Sequence, residues 1–157
     1  MLSPSRLRTD RDSDGVLNPQ GIRFGSAEIY SITEAAPFPS QITSTLCASR
    51  KRQGLDTDES VFLFVVMRPG HLFSFALQQK LKEFIRQGLS SRHVPRFVVE
   101  VKEVPMTVNG KKVETLVKQV ISTGELPKTI SSTVANLGCL EEYRRFYSLE
   151  TEARAKL

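Results

Sequence analysis

The 157 residues are 39% hydrophobic and 25% charged, which is enough apolar material for one well-filled globular core and too little chain for two. Twenty-two Lys+Arg against 17 Asp+Glu leave a net charge of +5, a mild basic excess that suits phosphate-bearing ligands. No arginine-rich block or aromatic RNA-binding signature accompanies it, and no run approaches the roughly 20 apolar residues of a membrane span, so neither nucleic acid nor membrane is an expected partner.

Residues 1–13 read as a polar, mobile leader. They lack the apolar centre of a secretory signal, and Asp10 and Asp12 among Arg6, Arg8 and Arg11 argue against a mitochondrial presequence. From Gly15 to Gly25 short apolar segments flank Asn18-Pro19-Gln20-Gly21, which predicts a small β-hairpin. Ser26 is the expected N-cap of a helix that carries Glu28 in its first turn and Ile29 and Ile32 on one face, and that stops at Pro37 and Pro39.

Two strands are expected at Ile42–Ala48 and Val61–Met67, joined by a polar loop over Ser49–Ser60. Between Phe73 and Leu89, Leu77, Leu81, Phe84, Ile85 and Leu89 recur at helical spacing. Arg96–Val101 reads as a third strand of the sheet. After the turn residues Asn109-Gly110, Val113, Leu116, Val117, Val120 and Ile121 predict an amphipathic helix over Lys112–Ile121, ending near Gly124. Gly124–Gly138 has little pattern and reads as loose, and a last helix covers Leu140–Leu149 or slightly more. No repeat is present. The expected class is α+β, with a small central sheet flanked by helices and an N-terminal β-hairpin.

Several kinds of chemistry find no support. His71 and His93 have no acidic or cysteine partner at ligand spacing, so no zinc site is expected, and His93 reads as a turn residue. No nucleophile elbow and no G-x-x-x-x-G-K-[ST] phosphate loop occurs. Cys47 and Cys139 form no metal or redox motif, which makes a reducing compartment, the cytoplasm, the default. Three basic places are left: Arg23 in the hairpin, Arg86 with Arg92 beyond it, and Lys111-Lys112 after Gly110. Residue chemistry alone gives each an ordinary reading as well. A helix dipole favours Arg86, and the two lysines read equally well as solvated turn charges. A cation at a helix start is unfavourable, however, so an anionic ligand is the alternative reason for Lys111.

"SDGVLNPQGIRFGSAEIY" followed downstream by "VPMTVNGKKVE" resembles the C-terminal domain of the adenylate-forming acyl-CoA synthetase superfamily. Within it, the acetoacetyl-CoA synthetase (acetoacetate–CoA ligase) family is the nearer likeness. The similarity runs from about Ser13 to Ile121, with a looser echo in "LGCLEEYRRF". By this resemblance residues 14–124 form the family's lid domain, and residues 125–157 a loose segment and C-terminal helix. Such enzymes activate a carboxylic acid with ATP and transfer the acyl group to coenzyme A. Mg is expected only in the full-length enzyme, and no metal site is carried over to this chain. The implied partner is the large N-terminal adenylation domain, without which the chain is expected to be inactive.

Residue by residue, the resemblance implies that Lys111 is the catalytic lysine of adenylation and Asp14 the hinge. Arg23 would contact the nucleotide, while Gln20, Gly21 and Arg86 would contact coenzyme A. Two departures stand out. Arg11-Asp12 occupies the place of the family's Gly-Arg, and Ala35–Pro39 lacks the histidine that helps bind a metal in some relatives. A stand-alone lid that serves as a binding or protein-interaction module is the alternative reading.

Overall fold

The central strand explains the layers around it. A computed structural model describes residues 16–17, 19, 24–128 and 134–150; the leader, Asp14, Gln20, Gly21 and Arg23 lie outside the described residues. A hairpin of β1 (Val16–Leu17) and β2 (Phe24–Gly25) precedes helix α1 (Ser26–Thr33), and a three-stranded sheet follows. The sheet runs β3 (Ile42–Arg50), β4 (Ser60–Met67), β5 (Phe97–Glu100), with β3 and β4 antiparallel and β4 and β5 parallel. Helix α2 (Phe75–Gly88) supplies the crossover that a parallel pair requires. Helix α3 (Glu114–Thr123) and the short α4 (Leu140–Tyr143), continued by a 3₁₀ turn to Ser148, complete an α+β domain.

Strand β4 is apolar at consecutive positions because both of its faces are covered. Phe62 and Phe64 join Leu46, Ala48, Phe97 and Val99 on one face, beneath Val117, Val120 and Ile121 of α3 and the aromatic pair Tyr143 and Phe146. Val61, Leu63 and Val65 point the other way, onto Leu77, Leu81 and Ile85 of α2, Ile29 of α1 and Leu17 and Phe24 of the hairpin. The three-and-four spacing of the α2 and α3 residues is what lets each helix offer one continuous stripe to a sheet face.

Where boundaries differ from the sequence reading, a hydrogen bond decides them. Ser26 is the first helical residue rather than the cap; Gly25 takes the cap position, and its N–H donates to the Glu28 carboxylate at 3.2 Å. Helix α2 begins at Phe75 because the Ser74 hydroxyl accepts from the Leu77 N–H at 3.1 Å and closes the first turn. Helix α3 begins at Glu114 because Lys112 bridges Met106 in strand fashion and the Val113 N–H donates to the Pro105 carbonyl at 3.0 Å. The lysine pair therefore precedes the helix. In the stretch read as loose, Val134 bridges Thr107, and the Ala135 N–H donates to the Met106 carbonyl at 2.8 Å. His93 lies in a 3₁₀ turn, as expected, and also joins elements: its ring bridges the Ser90 hydroxyl and the Glu28 carboxylate, each at 2.8 Å.

Strand β3 continues through Ser49 and Arg50, into what reads in sequence as loop. Arg50 is fully buried, with its guanidinium 5.0 Å from the Phe62 ring centre and 5.4 Å from that of Phe97. Its Nη1 donates to the Phe146 and Leu149 carbonyls, each at 2.7 Å, which ties the C-terminal segment to the sheet. Arg52 forks onto Asp56 at 2.9 and 3.0 Å and reaches Glu150 at 3.0 Å.

The Arg52 bonds, against the opposing effect of burial, bring the Asp56 pKa down to about 2. A depressed carboxylate stabilises the fold fully above its ordinary value near 3.8 and loses that contribution as pH falls through about 2. Asp56→Asn is therefore expected to cost about 2 kcal/mol at neutral pH in denaturant unfolding, with the gap to wild type closing as pH is lowered through that window. Gly124 ends α3 at φ +78°, and a Cβ there would stand 3.1 Å from Cγ of Tyr147. Gly124→Ala combines a left-handed backbone with that crowding and should lower the unfolding free energy by about 2 kcal/mol.

Candidate functional site: a lysine turn clamped to the first helix

Beyond β5 the chain makes a tight reversal. The Gly110 N–H donates to the Thr107 carbonyl at 2.9 Å, and the Thr107 N–H donates to the Lys111 carbonyl at 2.8 Å. The Lys111 N–H donates to the Thr107 hydroxyl at 3.1 Å. Gly110 has φ +83°, with open space where a Cβ would be, so the dihedral and not crowding calls for glycine. Asn136 braces the base: its Oδ1 accepts from the Met106 N–H at 2.9 Å and its Nδ2 donates to the Val104 carbonyl at 2.8 Å.

The two lysines have opposite fates, as successive residues of an extended strand should. The Lys111 side chain is exposed, and among the described residues its ammonium has no hydrogen-bond or ion-pair partner. Lys112 does not read as the surface or first-turn charge that its sequence suggests. Its side chain is only 16% exposed, its ammonium pairs with the Glu34 carboxylate, and it lies 3.5 Å from the centre of the Tyr30 ring.

Tyr30 is the hub of this contact. Its hydroxyl accepts from the Cys47 N–H at 2.9 Å and donates to Glu114, whose carboxylate also accepts from the Ser26 hydroxyl at 2.8 Å. Burial first, and then the nearness of Cys47 and of the Glu114 carboxylate, push the Tyr30 phenol well above its ordinary value, so it stays a donor across the accessible pH range. Burial likewise raises the Cys47 thiol, which makes it a packing group and not a nucleophile. Ser26, Tyr30, Lys112 and Glu114 went unnoticed as a set because their contacts join distant parts of the chain. The one local hint was a second lysine beside the first.

The other expected site residues are not gathered around Lys111. Arg86 is exposed on α2, and its guanidinium is paired with Glu83, which also accepts from Gln87. No described bond links Arg86 to the lysine turn. Asp14, Gln20, Gly21 and Arg23 lie outside the described residues, although β1 and β2, which flank the last three, are formed. A cleft of about 770 Å³ lies at the entry ends of β4 and β5, lined by Asp56, Asp58, Ser60, Arg92 and Arg96. The lysine turn instead follows the exit end of β5, so the cleft and Lys111 do not form one site.

Comparisons with known proteins bear on the family and the fold. The family described as AMP-binding enzyme C-terminal domain matches residues 51–111, from the end of β3 to the exposed lysine. Malonamoyl-CoA synthetase of Penicillium aethiopicum is 46% identical over 134 residues, covering 85% of this chain and 18% of that protein. Acetoacetyl-CoA synthetase of Xenopus tropicalis is 43% identical over 138 residues, covering 88% of this chain and 20% of that protein. Among solved structures, acetoacetyl-CoA synthetase from Streptomyces lividans superposes with a TM-score of 0.69 at 34% identity, over 86% of this chain and 20% of that one. The chain thus spans about a fifth of the length of the relatives it matches. Sequence, family match and fold concur: the chain belongs to the C-terminal domain family of the adenylate-forming enzymes and is similar, within it, to the acetoacetyl-CoA synthetases.

Proposed function

We propose that this chain is the lid portion of an ATP-dependent acid–CoA ligase and that Lys111 acts in its adenylation step. The observation that carries the reading is the exposed ammonium of Lys111, unpartnered among the described residues, on a turn closed by hydrogen bonds from Thr107 to Lys111, Gly110 to Thr107 and Lys111 to Thr107. In that step a carboxylate oxygen attacks the α-phosphorus of ATP, the bond to the bridging oxygen breaks, and pyrophosphate leaves. Two anions must approach each other. An ammonium within reach of both stabilises that encounter more than it stabilises the separated substrates. In the second step the thiol sulfur of coenzyme A attacks the acyl carbon, AMP departs and the thiol proton is released.

The supporting roles follow the family likeness. Residues 14–124 form the lid, Asp14 is its hinge, Arg23 contacts the nucleotide, and Gln20, Gly21 and Arg86 contact coenzyme A. ATP, its Mg ion and the acid are held by the large domain, and the ligase works in the cytoplasm. The names of the relatives support one acid class. Acetoacetate and malonamate both carry a carbonyl two carbons from the carboxylate, so a short 3-oxo acid is the substrate class, with acetoacetate the first candidate.

The test mixes this chain with the large domain of the Streptomyces lividans enzyme and measures AMP release dependent on acetoacetate or malonamate. Lys111→Ala is expected to lower adenylation by about 10²- to 10³-fold, the usual loss when one oriented charge-stabilising donor is removed. Equal rates with and without the lysine would reject its role. Tight binding of coenzyme A by the isolated chain, with no acid-dependent turnover in the mixture, would favour a stand-alone binding module.

A further inference from the structure

We infer that Lys112 is a positioning residue for Lys111: clamped between Tyr30 and Glu34, it fixes the face of the turn from which its neighbour projects. The inference rests on the proposed role of Lys111 and adds the means by which the chain would aim it. Three observations carry it. Lys112 sits in the bridge to Met106, where adjacent side chains must leave on opposite sides. Its ammonium is held 3.5 Å over the Tyr30 ring and against Glu34, both on or just after α1, so the turn is tied to a helix from the opposite end of the sequence. Finally, the same Tyr30 takes Glu114, two residues further on, through its hydroxyl, so one side chain grips both sides of the lysine turn's exit.

The clamp joins the two places whose sequences resemble working parts of the ligases. Ser26 follows directly on the hairpin strand β2, and its hydroxyl shares the Glu114 carboxylate with Tyr30. The start of α1 and the lysine turn are therefore tied directly to each other. An exposed lysine just beyond a two-residue tip would otherwise sample many directions, and misplacement of a reacting group by about 1 Å can cost a hundredfold in rate. Lys112 supplies what the neutral, open tip cannot: a largely covered cation held between a ring and a carboxylate.

The experiment compares wild-type chain with Lys112→Met, which keeps the stem and removes the charge, and with Lys112→Arg, which keeps charge and stacking. Amide exchange is followed in the 157-residue chain alone, as protection factors at Thr107, Gly110 and Lys111, with Phe64 in the central strand as the reference. Lys112→Met should lower protection at the turn by about tenfold and leave Phe64 unchanged, while Lys112→Arg stays near wild type. In the mixture with the large domain, Lys112→Met should slow adenylation by about 10- to 100-fold. Thioester formation from preformed acyl-adenylate should stay within about twofold, and Lys112→Arg should restore most of the loss. Unchanged turn protection in Lys112→Met, an equal fall in both half-reactions, or no recovery with arginine would overturn the inference, since each describes a plain structural ion pair. A Lys111→Ala chain that keeps full adenylation sinks the function reading itself, and does so in a different variant from the one that decides the clamp.

Discussion

Two-sided burial of the strand Ser60–Met67 is the constraint on which the rest of the molecule depends. A strand with Phe62 and Phe64 on one side and Val61, Leu63 and Val65 on the other cannot leave either face to water. The crossover helix and α1 close one side; α3 and the C-terminal aromatic residues close the other. Because β4 and β5 are parallel, the chain must leave β5 at the end of the sheet remote from the large cleft, and it is there that it turns to present Lys111. The place of the exposed amine thus follows from the packing of the core.

The second core face reaches beyond the family match. Residues 51–111 include β4, α2 and β5, but Val117, Ile121, Tyr143 and Phe146 come from later in the chain. Buried Arg50 ties this later segment down by donating to the carbonyls of Phe146 and Leu149 while its face packs against Phe62 and Phe97. Burial, with repulsion from Arg52 second, pulls the Arg50 pKa below its ordinary value, but a guanidinium starts so high that the side chain stays charged. An arginine serves here because several carbonyls at a chain end need donors and an apolar face needs a flat cover.

Periodicity made much of this legible in the sequence. The run at Val61, the helical spacing of Leu77, Leu81 and Ile85, and that of Val117, Val120 and Ile121 each announce the face they bury. The turn at Asn109-Gly110 was equally plain, since Gly110 takes the positive φ that its type of turn demands. Arg50 was missed because a charged residue at a strand end reads as loop until its aromatic and carbonyl partners are known. The Ser26–Tyr30–Glu114–Lys112 cluster was missed for a related reason. Polar contacts across most of the chain leave no local period, and a tyrosine in an amphipathic helix gives no sign of what its hydroxyl will meet.

The doubled lysine also protects its own alignment. Slide the exit strand by one position against Met106 and a lysine still faces outward, but Val113 would then lie over the Tyr30 ring and Glu34 would lose its cation. Slide it the other way and Lys111 would fill the clamp while Gly110, which has no amine, faced outward; only the observed pairing satisfies both faces, so a repeat that looks redundant in print works as a parity check on how the chain is threaded.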